Sequence, residues 1–190
     1  MNSSPTYQHL YTTIIDEHQQ VFQQQDVFQL EASLNTIAKA GKIFVIGVGR
    51  EGIAARSFAM RLMHLGKEVH WIWDDTTPGI GPEDLLIAVN GSGAIGHINY
   101  VIREAKAAGG TILVVTGSPS GEAATNLADT ILFVPASVYK GTDEVVSSIQ
   151  PMGNLFEQHL FMLFDIMVMM LEQQMDVSHE DMASRHRNVE

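Results

Sequence analysis

Between residues 43 and 135 the chain repeats one arrangement: a short apolar, β-branched run, a loop, then in most cases a helical stretch. The runs fall at 43–48, 68–73, 85–90, 111–116 and 130–135, with helical stretches at 52–65, 96–108 and 121–128 between them. This alternation predicts a parallel sheet covered by helices on both faces, each crossover right-handed. Two amphipathic patterns, 7–24 and 27–40, precede it. The first places Leu10, Ile14, Ile15 and Val21 near one face, and the second does the same with Leu30, Leu34 and Ile37. From Pro151, a residue suited to a first helical turn, a third pattern runs to about Met175. Ser178 and Asp181 then cap a last short helix ending near Arg185. At 190 residues, 45% of them apolar, the chain has the material for one domain. Within it, N-terminal helices occupy 1–41, a βα core 42–136 and C-terminal helices 151–190.

Segments 161–164 and 166–171 are apolar on nearly every side. A helix of that kind has to be covered all round, which predicts a homo-oligomer with this helix at the interface. Stretch 155–171 contains Glu157, His159 and Asp165, and is too short and too charged to read as a membrane span. Eleven Lys and Arg stand against 22 Asp and Glu, a net charge of −11. Such a surface repels nucleic acid and anionic membrane, so neither is an expected partner. The absence of cysteine excludes disulfides and thiolate chemistry. The amino-terminal residues carry no secretory pattern, so the expected compartment is the cytoplasm. The eight histidines show no ligand spacing, and no metal is expected.

Ligands of an open parallel sheet bind beyond the carboxyl ends of its strands. The loops to inspect are therefore 47–52, 74–81, 90–96, 116–121 and 136–152. In the first, Gly47, Gly49 and Gly52 spell G-x-G-x-x-G between a strand and a helix, and Asp74 or Asp75 follows the next run. That pattern admits a nicotinamide dinucleotide. The third loop, Asn90-Gly-Ser-Gly-Ala-Ile-Gly96, points elsewhere, because a second glycine turn is foreign to a single-fingerprint dinucleotide site. Gly91 and Gly93 allow close backbone approach, Ser92 supplies a hydroxyl, and the following helix start supplies unpaired N–H groups. Two such turns on one rim suit a sugar phosphate better.

The order of motifs sharpens this. Gly49-Arg50 is followed by FAMRLMHLG (58–66), TTPGI (76–80), DLLI (84–87), Gly91-Ser-Gly93, IQPMGNLFEQ (149–158) and RHRNVE (185–190). This series resembles the SIS (sugar isomerase) domain family and, within it, the 6-phospho-3-hexuloisomerases of the ribulose monophosphate pathway. The resemblance covers nearly the whole chain. It implies a flavodoxin-like three-layer α/β/α sandwich with a five-stranded parallel sheet, assembled as a tetramer. It also implies interconversion of hex-3-ulose 6-phosphate and fructose 6-phosphate, with neither metal nor organic cofactor. By the same resemblance Glu157 is the base, and His186, from its own or a neighbouring subunit, is the acid or sugar-orienting group. Gly49, Arg50, Glu51, Asn90, Gly91, Ser92, Gly93, Thr116 and Ser118 are the implied substrate contacts.

The chain departs from the family pattern in its phosphate loops. Glu51, Asn90 and Gly117 stand where the pattern has serine, and Ile95 where it has threonine. A carboxylate at Glu51, desolvated within about 4–5 Å of a phosphate, would oppose it by several kcal/mol. Turned outward, it would cap its own helix. These departures support a second reading, a binding protein that senses a sugar derivative without chemistry.

Overall fold

The computed structural model describes residues 5–141 and 143–189. Strands β1 (Lys42–Ile46), β2 (Glu68–Trp71), β3 (Leu85–Val89), β4 (Thr111–Thr116) and β5 (Thr130–Phe133) form one sheet in the order β2-β1-β3-β4-β5. Every pairing is parallel, with Val45 opposite both Trp71 and Ile87, and Ile87 opposite Leu113. The helices are α1 (Tyr7–Gln24), α2 (Val27–Lys39), α3 (Gly49–His64), α4 (Gly96–Ala107), α5 (Asn154–Met175) and α6 (His179–Ser184). This is the flavodoxin-like three-layer arrangement.

The two-residue period of the strands sorts their side chains into two cores. Ile43, Val45, Leu85, Ile87, Leu113 and Val115 face one layer, packed under Ile37 of α2, Phe58 of α3 and Leu163 of α5. Phe44, Ile46, Leu86, Ala88, Ile112 and Val114 face the other, under Ile98 and Ile102 of α4. In the central strands β1, β3 and β4 apolar alternation is therefore absent, because both faces are dry. Helices α3 and α5 are fastened by Phe58 and Phe164, whose rings stack with centroids 4.4 Å apart and planes 8° from parallel. Burying each of these rings contributes about 1.5–3 kcal/mol.

Helix starts follow the capping chemistry in the sequence. Asp26 accepts from the N–H groups of Phe28 and Gln29 at 2.8 and 3.2 Å, and Ser178 with Asp181 closes a reciprocal capping box on α6. Two expected elements differ. The stretch 121–128 supplies one π-helical turn, Ala123–Leu127, in place of a regular helix. Helix α5 begins at Asn154 and leaves Pro151 outside, because Met152 and Gly153 take left-handed backbone angles (φ 62 and 79) that no α-helix accommodates. Helix α5 has the length and apolar character of a membrane span, but half of its apolar window is buried in the fold.

Candidate active site

The strand order reverses between β1 and β3: the chain leaves β1 toward β2 on one side, and β3, β4 and β5 build on the other. The loops after β1 and β3 diverge there and leave a crevice at the carboxyl edge of the sheet. A cleft of about 280 Å³ lies at that point, walled by 48–51, Gly91, Ser92, Ile95, 138–140, Gly153, Phe156 and Glu157. The glycines of the G-x-G-x-x-G pattern shape one wall. Gly47 and Gly52 touch so closely that a Cβ on Gly47 would lie 2.9 Å from the Gly52 Cα, so this pair packs helix against strand. Asp74 lies outside the cleft and pairs with Arg56 at 3.4 Å.

Glu157 sits in the first turn of α5 with its side chain 19% exposed, and its Oε2 is 3.2 Å from Arg50 Nη1. Burial raises its pKa, and the Arg50 guanidinium opposes the rise. Arg50 also donates to Asn154 Oδ1, which pins it against the N-terminus of α5. Glu51, in the first turn of α3, is buried, and its Oε2 accepts the Gly91 N–H at 3.0 Å. It neither points outward nor caps α3. Burial is the largest cause of a rise in its pKa to about 8; the Gly91 bond opposes the rise, and the nearby Glu157 carboxylate adds to it.

Of the residues expected in the site, the cleft brings together Gly49, Arg50, Glu51, Gly91, Ser92 and Glu157. Others stand behind the wall. Asn90 turns its amide to Asn99 Oδ1 at 2.8 Å, and Gly93 backs onto Gly121. Thr116 donates to the Gly91 carbonyl at 3.1 Å, and Ser118 donates its hydroxyl to Asp143. Hydrogen bonds from Ser118 and Ser120 hold the Asp143 carboxyl below its usual range. His186 does not join this cleft. Its ring stacks on His64, centroids 5.4 Å apart, and lines a separate hollow with Arg56, Trp71 and Asp74.

Three further residues shape the site. Tyr139 and Lys140 form a wall from a segment with no motif, Lys140 in a left-handed conformation (φ 61) with Nζ 5.2 Å from the Tyr139 ring centroid. Glu17 of α1 is buried and accepts from Ser148 Oγ and Ile149 N, both at 2.7 Å, and from Gln150 Nε2 at 3.2 Å. It anchors the loop that delivers α5. Its position was readable, since Glu17 falls on the helical stripe of Ile14 and Val21.

The model of the SIS domain matches residues 36–158, and the chain belongs to the SIS domain family. Among its relatives, the 3-hexulose-6-phosphate isomerase of Mycobacterium gastri is 36% identical over 165 residues, covering 87% of this chain and 82% of the relative. The enzyme of the same name from Bacillus subtilis is 34% identical over 154 residues, covering 81% and 83%. Among solved structures, a Methanococcus jannaschii protein with an inferred function of 3-hexulose-6-phosphate isomerase superposes with a TM-score of 0.82. It is 28% identical, and the match covers 95% of this chain and 98% of that one.

Proposed function

We propose that this protein is a sugar-phosphate isomerase that interconverts hex-3-ulose 6-phosphate and fructose 6-phosphate through an enediol. The observation that carries the reading is a partly desolvated carboxylate, Glu157, facing a cleft at the strand-order reversal with a guanidinium beside it. The two sugars differ only in which of two adjacent carbons holds the carbonyl. Removing the proton from C2 of the 3-ulose gives a 2,3-enediol, and returning it to C3 gives fructose 6-phosphate. One carboxylate can take and return that carbon-bound proton while a second group moves the proton between the oxygens. Burial raises the basicity of Glu157, and Arg50 keeps it ionised and aimed. The names of the relatives support this substrate pair over a sensor without chemistry.

The second proton carrier in this reading is His186, contributed by a neighbouring subunit of a homotetramer. The support is its distance from its own cleft and the apolar face left on α5, where Phe161, Met162, Ile166 and Met169 are 37–62% exposed. We place this chemistry in the cytoplasm, where sugar phosphates are made and consumed.

The deciding experiment follows fructose 6-phosphate in D2O by NMR. Enzyme-dependent exchange of the C3 hydrogen, together with formation of the 3-ulose, is the expected result. No exchange by the wild type, or equal exchange by Glu157→Gln, overturns the assignment.

A further inference from the structure

Glu51 is a buried cleft residue whose chemistry the reaction above leaves unused. It is 9% exposed. Its Oε2 takes the Gly91 N–H, and a Cβ on Gly91 would lie 2.6 Å from that oxygen, so the carboxyl fills the space that this glycine leaves open. Its Oε1 has no hydrogen-bond partner among the described residues. A buried carboxylate holding a single hydrogen bond is costly, whereas a neutral carboxyl in the same place has one acceptor satisfied and one proton to give.

The surroundings favour the neutral form. Arg50, adjacent on α3, is directed at Glu157 and Asn154. Helix α5 contributes the Glu157 carboxylate, and the 138–140 wall contributes Tyr139 and Lys140. The β3–α4 loop contributes Gly91, Ser92 and Ile95, none of them titratable. With a pKa pushed to about 8, the group is mostly protonated at neutral pH. The cleft also meets Ile95, the N-cap of α4, whose side chain supplies no hydrogen bond to the first N–H groups of that helix. Those amides suit an anion.

We propose that Glu51 serves the cleft as an uncharged donor, giving its Oε1 proton to a phosphoryl oxygen of the sugar phosphate, so that the carboxyl holds the anion. A hydrogen bond from a neutral acid to an anionic oxygen is short and charge-assisted. Once ionised, the same group repels the dianion. Anion binding and proton occupancy of Glu51 are therefore linked, and affinity falls about tenfold for each pH unit above the titration. The identity of the sugar rests on the isomerase reading; the anion contact rests on Glu51 itself.

Calorimetric titrations from pH 6.5 to 9.5 with sulfate, a dianion throughout that range, and with fructose 6-phosphate test the linkage. Both ligands should weaken about tenfold per unit above pH 8 on the wild type. Glu51→Gln, which keeps a donor and cannot ionise, should bind both with flat affinity. Glu51→Ser provides the same control if the glutamine folds poorly. Unchanged wild-type affinity across the range, or a weakening that persists in Glu51→Gln, overturns the proposal. Sulfate binding with the expected pH dependence, alongside no binding of fructose 6-phosphate, would retain the anion contact and defeat the isomerase reading. Binding of neither ligand at any pH defeats both.

Discussion

Glu17 and Ile149 lie 132 residues apart in sequence, yet the Glu17 carboxylate accepts the Ile149 N–H at 2.7 Å. With Ser148 and Gln150 on the same carboxylate, α1 holds the loop from which α5 and Glu157 emerge. Replacing the buried Glu17 with alanine takes the acceptor from three partly buried hydrogen bonds, and the expected loss is about 3 kcal/mol. For a domain of this size that lowers Tm by roughly 6–12 °C. Glu17→Gln, which keeps an acceptor, should lose less. Thermal and urea melts of the two variants provide the check, and equal stability of Glu17→Ala and the wild type contradicts the anchoring role.

In the proposed reaction the pair Arg50–Glu157 should set an acid limit on turnover. There Glu157 works when ionised, and the guanidinium restrains the rise that burial imposes on its pKa. In Arg50→Gln that restraint is gone, so the acid limb of the kcat/KM profile should move to higher pH. Glu157→Gln should lower kcat by about 10²–10⁴ with little change in melting temperature. A profile for Arg50→Gln that overlays the wild type would separate Arg50 from the base.

His159 is fully buried, its Nδ1 3.2 Å from His18 Nδ1, and burial followed by the His18 charge lowers its pKa from 6.5 to about 4. The unfolded chain thus binds more protons here than the folded one between those values. This contribution to stability is complete above pH 6.5 and is lost as the pH falls toward 4, up to about 3 kcal/mol. Glu51 has the opposite sign: its pKa rises on folding from 4.5 to about 8, so its contribution is present at low pH and lost as the pH climbs through that window. Comparing variants isolates each group. The wild type should lose ground to His159→Leu between pH 6.5 and 4.5, and Glu51→Gln should gain on the wild type between pH 5 and 8. Urea midpoints measured at half-unit steps report both trends.

Met162, Ile166 and Met169 share one exposed stripe of α5 at helical spacing. If subunits meet there, Ile166→Glu with Met169→Glu should yield a smaller species in light scattering after size exclusion, with lower turnover because His186 is withdrawn. An unchanged mass moves the interface elsewhere.

The sheet was readable because buried parallel strands are continuous apolar runs, and five of these appear where the strands lie. The ends of elements were less so. Pro151 is compatible with a helix start, and only the left-handed backbone at Met152 and Gly153 moves that start to Asn154. Glu51 illustrates a deeper limit. Sequence presents it as a carboxylate that either meets phosphate or turns to water, and its burial against Gly91 depends on a contact between positions 40 residues apart. His186 shows the same limit, since nothing in its neighbours Arg185 and Arg187 tells which hollow its ring lines.

The cleft draws its walls from 48–51, from Gly91, Ser92 and Ile95, from 138–140, and from Gly153, Phe156 and Glu157, four pieces scattered over more than a hundred positions. No fragment or partly folded form assembles it. Ligand recognition here should disappear together with the native state as one cooperative event, so a binding assay doubles as a gauge of folding.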